Sequence, residues 1–128
     1  MPAANADVVR ANSEAFSRRD VDAMLELFAP DAVVRDRRAV GWGEFHGRDA
    51  IRSYYEGLFD NADEIYEDLA VVSELGDVVV GSCHVSAHLA GQEEADVVAF
   101  DYALKVTLAG GLITALEIYE NAAAAGAA

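Results

Sequence analysis

Residues 96–120 read DVVAFDYALKVTLAGGLITALEIYE, with apolar and polar side chains alternating on both sides of a short glycine-rich segment. A period of two is typical of a strand that buries one face. A three-residue connection containing glycine is typical of a hairpin turn. We therefore predict two long antiparallel strands, residues 96–108 and residues 112–120, joined at residues 109–111.

The same alternation extends upstream of this hairpin. Residues 64–73 and 78–89 show it as well, separated by residues 76–77, and residues 90–94 lead into the next strand. Such short connections make the four strands sequential and antiparallel, and long antiparallel strands curl. The second half of the chain thus predicts one curved sheet.

The first part of the chain carries helical periods instead. Asn5 can cap a helix that runs to about Arg18, and Asp20 can cap a short second helix that ends at Pro30, because proline cannot continue the helical hydrogen bonds. A third helix begins at about Arg48. Its apolar stripe follows the i, i+3, i+4, i+7, i+8 spacing without a gap and consists of Ile51, Tyr54, Tyr55, Leu58 and Phe59.

Residues 32–38 predict a further strand, and residues 41–47 predict a glycine-rich loop that carries three large rings. Helices first and a meander of strands last predict an α+β domain, in which a curved antiparallel sheet wraps around three N-terminal helices. Three helices cannot cover all of a long sheet, so we expect an internal pocket. We place one domain over residues 1–128, with its core at about 6–121 and a frayed alanine and glycine tail at 122–128.

Net charge excludes several classes of partner. The chain has 128 residues, of which 23 are acidic and 9 basic, and its formal charge is −14. Such a surface repels phosphate groups, so we expect binding to neither nucleic acid nor an anionic membrane. The first residues lack the pattern of a secretory signal and no apolar run is long enough for a membrane span, so we expect a cytoplasmic protein.

Metal and nucleophilic chemistry have little support in the sequence. Cys83 is the only cysteine, which excludes an internal disulfide and two-cysteine metal motifs. His84 and His88 share a strand face but lie about 13 Å apart, too far for one zinc ion to bridge. We expect no metal and no cofactor. The two histidines either line the pocket or face outward. The outward alternative arises because the side chains on the other face of the strand, including Cys83 and Val85, are more apolar.

Alternation also predicts which side chains face the pocket. In the strand at 96–108 the even positions are apolar apart from Tyr102, so Phe100 and Tyr102 point inward. In the last strand the side chains on the face of Leu116 and Ile118 are the more apolar, so we expect that face to point inward. Glu120 has the same alternation and then lies either at the pocket rim or in water. Each strand therefore contributes a short row of side chains to the pocket.

Two polar residues stand out in the first part of the chain. Asn12 falls inside the apolar stripe of the first helix. Asp36 follows two valines on the first strand, and Arg38 lies two residues further on the same side of it. A carboxylate beside a guanidinium forms an ion pair, which lowers the pKa of the carboxyl and makes it a weaker base.

Three segments carry a resemblance to a known family. They are RDVDAMLELFAPDAVVRD at residues 19–36, HGRDAIRSYY at residues 46–55 and GLITALEIY at residues 111–119. In their order and spacing they resemble the nuclear-transport-factor-2-like superfamily, in its SnoaL-like and ketosteroid-isomerase-like branch, over about residues 6–121. The resemblance implies a cone-shaped α+β barrel with a deep pocket, commonly a dimer through the sheet.

The resemblance also implies catalytic positions. Asp36 matches the aspartate that moves a proton in the ketosteroid-isomerase branch, and Tyr55 matches a supporting tyrosine. Asn12 stands where that branch has a tyrosine, and Tyr102 or Ala103 stands where it has an acidic residue. The candidate catalytic residues are therefore Asp36, Tyr102, Asn12 and Tyr55, the last three polarising an oxygen.

Two functions are compatible with these residues. The first is a domain that binds a small apolar, steroid-like or polyketide-like molecule without a specific activity. The second is an isomerase or cyclase in which Asp36 takes a proton next to a carbonyl. The candidate ligand-binding residues are Phe16, Arg38, Trp42, Phe45, Leu58, His84, Phe100, Leu116, Ile118 and Glu120.

The other face of the last strand predicts self-association. Ile113, Ala115 and Tyr119 have the outward parity there, and an exposed apolar face needs cover. We therefore expect a homodimer through the sheet, opposed in part by repulsion between the acidic chains.

Overall fold

The first three helices pack on one face of a six-stranded sheet in the computed structural model, which describes residues 4–39, 41, 43–89, 91 and 97–127. The elements in chain order are α1 Asn5–Ser17, α2 Val21–Glu26, β1 Phe28–Asp36, β2 Glu44–His46, α3 Arg48–Asp60, β3 Ala62–Leu75, β4 Val78–Leu89, β5 Val97–Ala109, β6 Leu112–Tyr119 and α4 Ala122–Ala127. This is the predicted α+β class, and the four strands of the meander lie within two residues of their predicted bounds.

The sheet is curved and unclosed, and its strand order is β2-β1-β6-β5-β4-β3. The four strands of the meander pair antiparallel, as predicted. The sheet also contains one parallel pair, β1 with β6, with Val34 opposite Leu116 and Asp36 opposite Ile118. A parallel pair needs a long crossover, which α3 and the meander supply. This pairing places the end of β1 beside the end of β6.

The short second helix ends earlier than predicted. Asp20 caps it, since its Oδ1 accepts a hydrogen bond from the backbone N of Ala23 at 3.1 Å. The helix stops at Glu26, and Pro30 lies inside β1, where the register with β6 is interrupted. An irregular stretch tolerates proline because no ladder hydrogen bond needs its missing N–H.

The start of α1 also differs from the prediction. Ala4 occupies the N-cap position and makes no side-chain hydrogen bond there. Asn5 is instead the first helical residue, and its Nδ2 donates to the carbonyl of Gly76 at 3.2 Å. Asn5 therefore ties the helix to the turn between β3 and β4 rather than capping it.

The core lies between the helices and the inner face of the sheet. Its largest fully buried side chains include Phe28, Met24, Ile51 and Leu116. Burying each such side chain contributes about 1.5–3 kcal/mol. Ile113 also belongs to this core, so the prediction that it faces outward is wrong. A shift of the strand register between Thr107 and Leu108 reverses the alternation at that point of the hairpin.

The C-terminal segment forms a helix where the sequence predicted a frayed tail. Asn121 accepts a hydrogen bond from the backbone N of Ala124 at 2.8 Å and so caps α4. Ala125 packs on the outer face of the sheet against Val80 and Ala103, and all three are buried. Small side chains on both sides allow this close approach. The helix thus covers part of the outer face, and the predicted homodimer stays a prediction.

None of the described helices has the length and apolarity that crossing a membrane would require.

Candidate functional site

A cavity of about 200 Å³ lies between α1, α3 and the inner face of β3 to β6. We call it the inner cavity. It is lined by Asn12, Phe16, Arg38, Tyr54, Tyr55, Leu58, Ile65, Glu67, Val85, Phe100, Tyr102, Leu104, Leu116 and Ile118. The lining is mostly apolar and aromatic. Apart from the tyrosine hydroxyls, its polar or charged side chains are three: Asn12, Arg38 and Glu67.

A second cavity of about 550 Å³ adjoins the first. We call it the apolar cavity. It lies between α3 and the ends of β3, β4 and β5, and it includes Phe45, whose ring stacks on Tyr54 with 4.5 Å between centroids. Both cavities are lined by Tyr54, Leu58, Ile65 and Phe100. These four side chains therefore form the wall between the two spaces.

Arg38 and Asp36 form a bidentate ion pair at the end of β1. The Nε and terminal nitrogen of Arg38 lie 2.9 Å and 2.7 Å from the two carboxylate oxygens, and the backbone N of Arg38 adds a third bond at 3.1 Å. The Asp36 side chain is 1% exposed and that of Arg38 is 21% exposed. The hydrogen bond to Asp36 raises the pKa of Arg38, so the guanidinium stays charged. Arg38 therefore lines the inner cavity, and Asp36 lies behind it.

Gly41 packs against this ion pair so closely that no other residue fits. A Cβ at position 41 would lie 2.6 Å from the carbonyl oxygen of Asp36 and 2.9 Å from that of Arg38. We expect Gly41→Ala to lower the free energy of unfolding by about 1–3 kcal/mol, because the backbone must shift to relieve the overlap. Urea denaturation measures the change.

Gly57 provides the matched control for that substitution. It lies within α3, and a Cβ there would meet nothing within 4 Å. Gly57→Ala should raise stability by about 0.5–1 kcal/mol through helix propensity. Equal effects of the two substitutions would contradict the close packing at Gly41.

Glu67 forms the polar centre of the inner cavity. Its Oε1 accepts the hydroxyl proton of Tyr102, and its Oε2 accepts that of Ser13 at 2.8 Å. The Cys83 thiol donates to the same carboxylate, and burial together with this acidic neighbour raises the pKa of Cys83. Three donors from α1, β4 and β5 thus fix one carboxylate on β3.

Asn12 brings an unsatisfied acceptor to the same cavity. The residue is 4% exposed, and its Oδ1 has no hydrogen-bond partner among the residues that the structure describes. A buried polar atom without a partner carries a desolvation cost of about 1–3 kcal/mol. A ligand with a hydrogen-bond donor would remove that cost.

Comparison with family models shows which family the fold represents. The model of the SnoaL-like domain matches residues 9–116, which is most of the chain. The chain belongs to the SnoaL-like domain family. Among curated proteins, none matches the chain.

Solved structures share the fold of this SnoaL-like domain at low sequence identity. One is a hypothetical protein with a ketosteroid-isomerase-like fold from Catenulispora acidiphila in complex with trimethylamine, with 22% identity, a TM-score of 0.79 and coverage of 90% of this chain and 85% of that one. A candidate polyketide cyclase from Xanthomonas campestris has 23% identity, a TM-score of 0.77 and coverage of 91% and 90%. An NTF2-like protein of unknown function from Burkholderia pseudomallei has 20% identity, a TM-score of 0.77 and coverage of 94% and 92%.

Most residues predicted for the site of the SnoaL-like domain line the inner cavity. The structure brings together Asn12, Phe16, Arg38, Tyr55, Leu58, Phe100, Tyr102, Leu116 and Ile118. The alternation in β5 and β6 placed the last four on the inner face. Their roles in binding or catalysis stay predictions.

Other predicted site residues lie elsewhere. His84 is on the outer face of β4, where its Nδ1 is 2.6 Å from Oδ1 of Asp101, because Cys83 and Val85 take the inward parity. His88 faces outward as well, 3.2 Å from a carboxylate oxygen of Asp63. The histidines therefore take the outward alternative that the sequence left open.

Glu120 and Phe45 are not on the lining of the inner cavity. Glu120 accepts a hydrogen bond from the backbone N of Ala39 at 3.1 Å and does not line the inner cavity. Phe45 lines the apolar cavity instead. Trp42 lies outside the described residues. No group of three His, Cys, Asp or Glu side chains that could hold a metal ion occurs in the described part of the SnoaL-like domain.

Sequence reasoning missed Glu67 although a signal was present. The inward positions of β3 are Ile65, Glu67, Leu69 and Val71, so a single acidic side chain interrupts an apolar face. An acidic residue in that position needs a hydrogen-bonded or functional environment. No inward face was predicted for this strand from its alternation.

The tyrosines of the site remain protonated at neutral pH. Burial raises the pKa of Tyr54 to about 12, and burial also raises the pKa of Tyr55 and Tyr102 well above the usual value, with the charge of Glu67 adding to each. Tyr102 has one proton and donates it to Glu67. Its oxygen is therefore left to accept rather than donate, which differs from the predicted oxyanion role.

Proposed function

We propose that this SnoaL-like domain binds a small, largely apolar molecule in the inner cavity. The observation that carries the proposal is an aromatic cavity between helices and sheet in which only a few polar groups converge. Such an arrangement is typical of small-molecule sites, where apolar walls provide affinity and a few polar groups fix orientation.

The size of the cavity limits the ligand. At about 200 Å³ the inner cavity exceeds the roughly 150 Å³ of an engineered cavity that takes up benzene, and it is smaller than the roughly 300–1,000 Å³ of drug-sized sites. A molecule of one or two rings therefore fits better than a four-ring steroid. One of the neighbouring structures was solved with a small ligand, trimethylamine.

Catalysis by Asp36 has weaker support as the second candidate. Its carboxylate lies behind Arg38 and accepts three hydrogen bonds from that residue. A general base must reach the proton that it removes, and hydrogen bonds to the carboxylate lower its basicity. Binding therefore takes precedence over an isomerase or cyclase reaction in this proposal.

Thermal unfolding in the presence of toluene, naphthalene and a four-ring steroid tests the proposal. We expect the first two to raise the melting temperature by several degrees, since a ligand at 100 times its Kd contributes about 2.7 kcal/mol. We expect the steroid to have no effect. Absence of a shift with both small compounds would refute binding in the inner cavity.

A pair of substitutions locates the binding site. Leu58→Trp places a large ring at the wall between the cavities and should abolish the shift. Leu75→Trp adds the same bulk at a side chain that is 78% exposed and should preserve it. An undiminished shift in the Leu58→Trp protein would place the ligand elsewhere.

A further inference from the structure

We propose that the inner cavity selects a small organic ammonium ion, with Glu67 as its counter-ion and the surrounding rings as its walls. This inference rests on the proposed binding function and names the chemical class of the ligand. Three independent features of the cavity point to it: its charge, its excess of acceptors and its aromatic lining.

The charge of the cavity favours a cation. Glu67 forms no ion pair with any Lys, Arg or His within the described residues. Arg38 is the positive group of the lining, and Asp36 neutralises it through a bidentate contact. The groups at the cavity therefore carry one uncompensated negative charge, and a partly enclosed charge favours a counter-ion from solution.

The hydrogen-bonding groups favour a donor. Glu67 presents carboxylate oxygens, Tyr102 presents an oxygen whose proton is already donated, and Asn12 presents an Oδ1 without a partner. All three residues line the same cavity. A primary ammonium has three N–H donors. A carbonyl or carboxylate ligand has only acceptors, so it would leave Oδ1 of Asn12 without a partner and would donate to neither Glu67 nor Tyr102.

The walls favour a cation with an apolar body. Five rings line the inner cavity: Phe16, Tyr54, Tyr55, Phe100 and Tyr102. Ring centroids of neighbouring pairs are 4.9 Å apart for Tyr54 and Tyr55 and 6.0 Å apart for Phe100 and Tyr102. An ammonium within about 6 Å of an aromatic centroid is attracted to the ring face, more strongly where water is excluded.

Arg38 is the one feature of the cavity that opposes a cation. Its guanidinium lies over the ring of Tyr102, 5.6 Å from the centroid, while the hydroxyl of Tyr102 points to Glu67. Arg38 therefore contacts the face of the ring, and Glu67 contacts its hydroxyl. An ammonium beside Glu67 would meet Tyr102 at the hydroxyl end and leave the ring face to Arg38.

Three ligands that share one ring and differ in head group test the inference: benzylammonium, benzyl alcohol and benzoate. Isothermal titration calorimetry at neutral pH should give the tightest binding for benzylammonium, by about tenfold or more over benzyl alcohol, and no detectable binding for benzoate. Equal or tighter binding of the alcohol or of benzoate by the unaltered protein would overturn the inference. The proposed function would then still stand, because a small aromatic molecule had bound.

Two substitutions on β3 attribute the preference to one carboxylate. Glu67→Gln keeps the shape and removes the charge, so it should abolish the preference for benzylammonium while benzyl alcohol binds as before. Glu64→Gln makes the same change at an exposed, outward position of the same strand and should leave the preference intact. A preference that survives in the Glu67→Gln protein would overturn the role of Glu67. Failure of all three ligands would overturn the inference, and the toluene and naphthalene measurements then decide whether the proposed function stands.

Discussion

Replacement of Arg38 by methionine is expected to lower the free energy of unfolding by about 3–5 kcal/mol. The substitution removes a bidentate partner from a carboxylate whose side chain is 1% exposed. Methionine fills similar space but offers no donor, so the Asp36 charge remains buried without its counter-ion. Urea denaturation monitored by circular dichroism measures the loss.

Two further proteins separate this effect from general damage. In the double variant Asp36→Asn with Arg38→Met the buried charge is gone, and we expect much of the lost stability to return, because the penalty comes from the isolated carboxylate. Arg52→Met removes the exposed ion pair between Arg52 and Asp22 and should change stability little. A double variant as unstable as the single one would contradict this account of the pair.

A loss of stability above about pH 10 is the second large effect that we expect. The pKa of Tyr54 rises to about 12 from an ordinary value of 10.0, and the pKa values of Tyr55 and Tyr102 are also raised well above 10.0, chiefly because the rings are buried. The folded state therefore holds phenol protons that the unfolded state releases at about pH 10. Stability is fully present below that pH and decreases as pH rises through the folded-state pKa values.

Tyr54 alone accounts for about 2 kcal/mol of this loss between pH 8 and pH 12. Urea denaturation across this range, together with the absorbance of tyrosinate, measures it. Tyr54→Phe should reduce the decline by about 2 kcal/mol, because no proton is left to lose at that ring. Tyr66→Phe, at a side chain that is 56% exposed, serves as the control and should leave the decline unchanged. An identical pH profile in the Tyr54→Phe protein would contradict the assignment.

Much of the site was predictable because it follows from alternation along a strand. Phe100 and Tyr102 on β5, and Leu116 and Ile118 on β6, line the inner cavity as their parity predicts. The same rule fails for Ile113, two residues after the turn. A register shift next to the turn reverses which side chains face inward there, and the local pattern does not predict that shift.

Polar residues of the site were harder to predict than apolar ones. Asp36 was expected beside Arg38 and is paired with it, but whether a carboxylate faces a cavity or lies behind its partner depends on how the end of β1 packs. Glu67 was not predicted as a site residue. It forms the polar centre of the inner cavity because Ser13, Cys83 and Tyr102 donate hydrogen bonds to it from three other elements.

Local periodicity in this chain thus specifies the helix α3, the extent of the four strands of the meander, and the inward positions of β5 and of Leu116 and Ile118 on β6, because side-chain direction follows from backbone geometry. The parallel pairing of β1 with β6, the packing of α4 on the outer face and the meeting of Asn12, Glu67 and Tyr102 at one cavity come from contacts between distant segments. Those contacts join segments that are far apart in the sequence, so no local pattern predicts them. The chemistry of the cavity therefore depends on the assembled fold, whereas the strands that carry it follow from the period of the sequence.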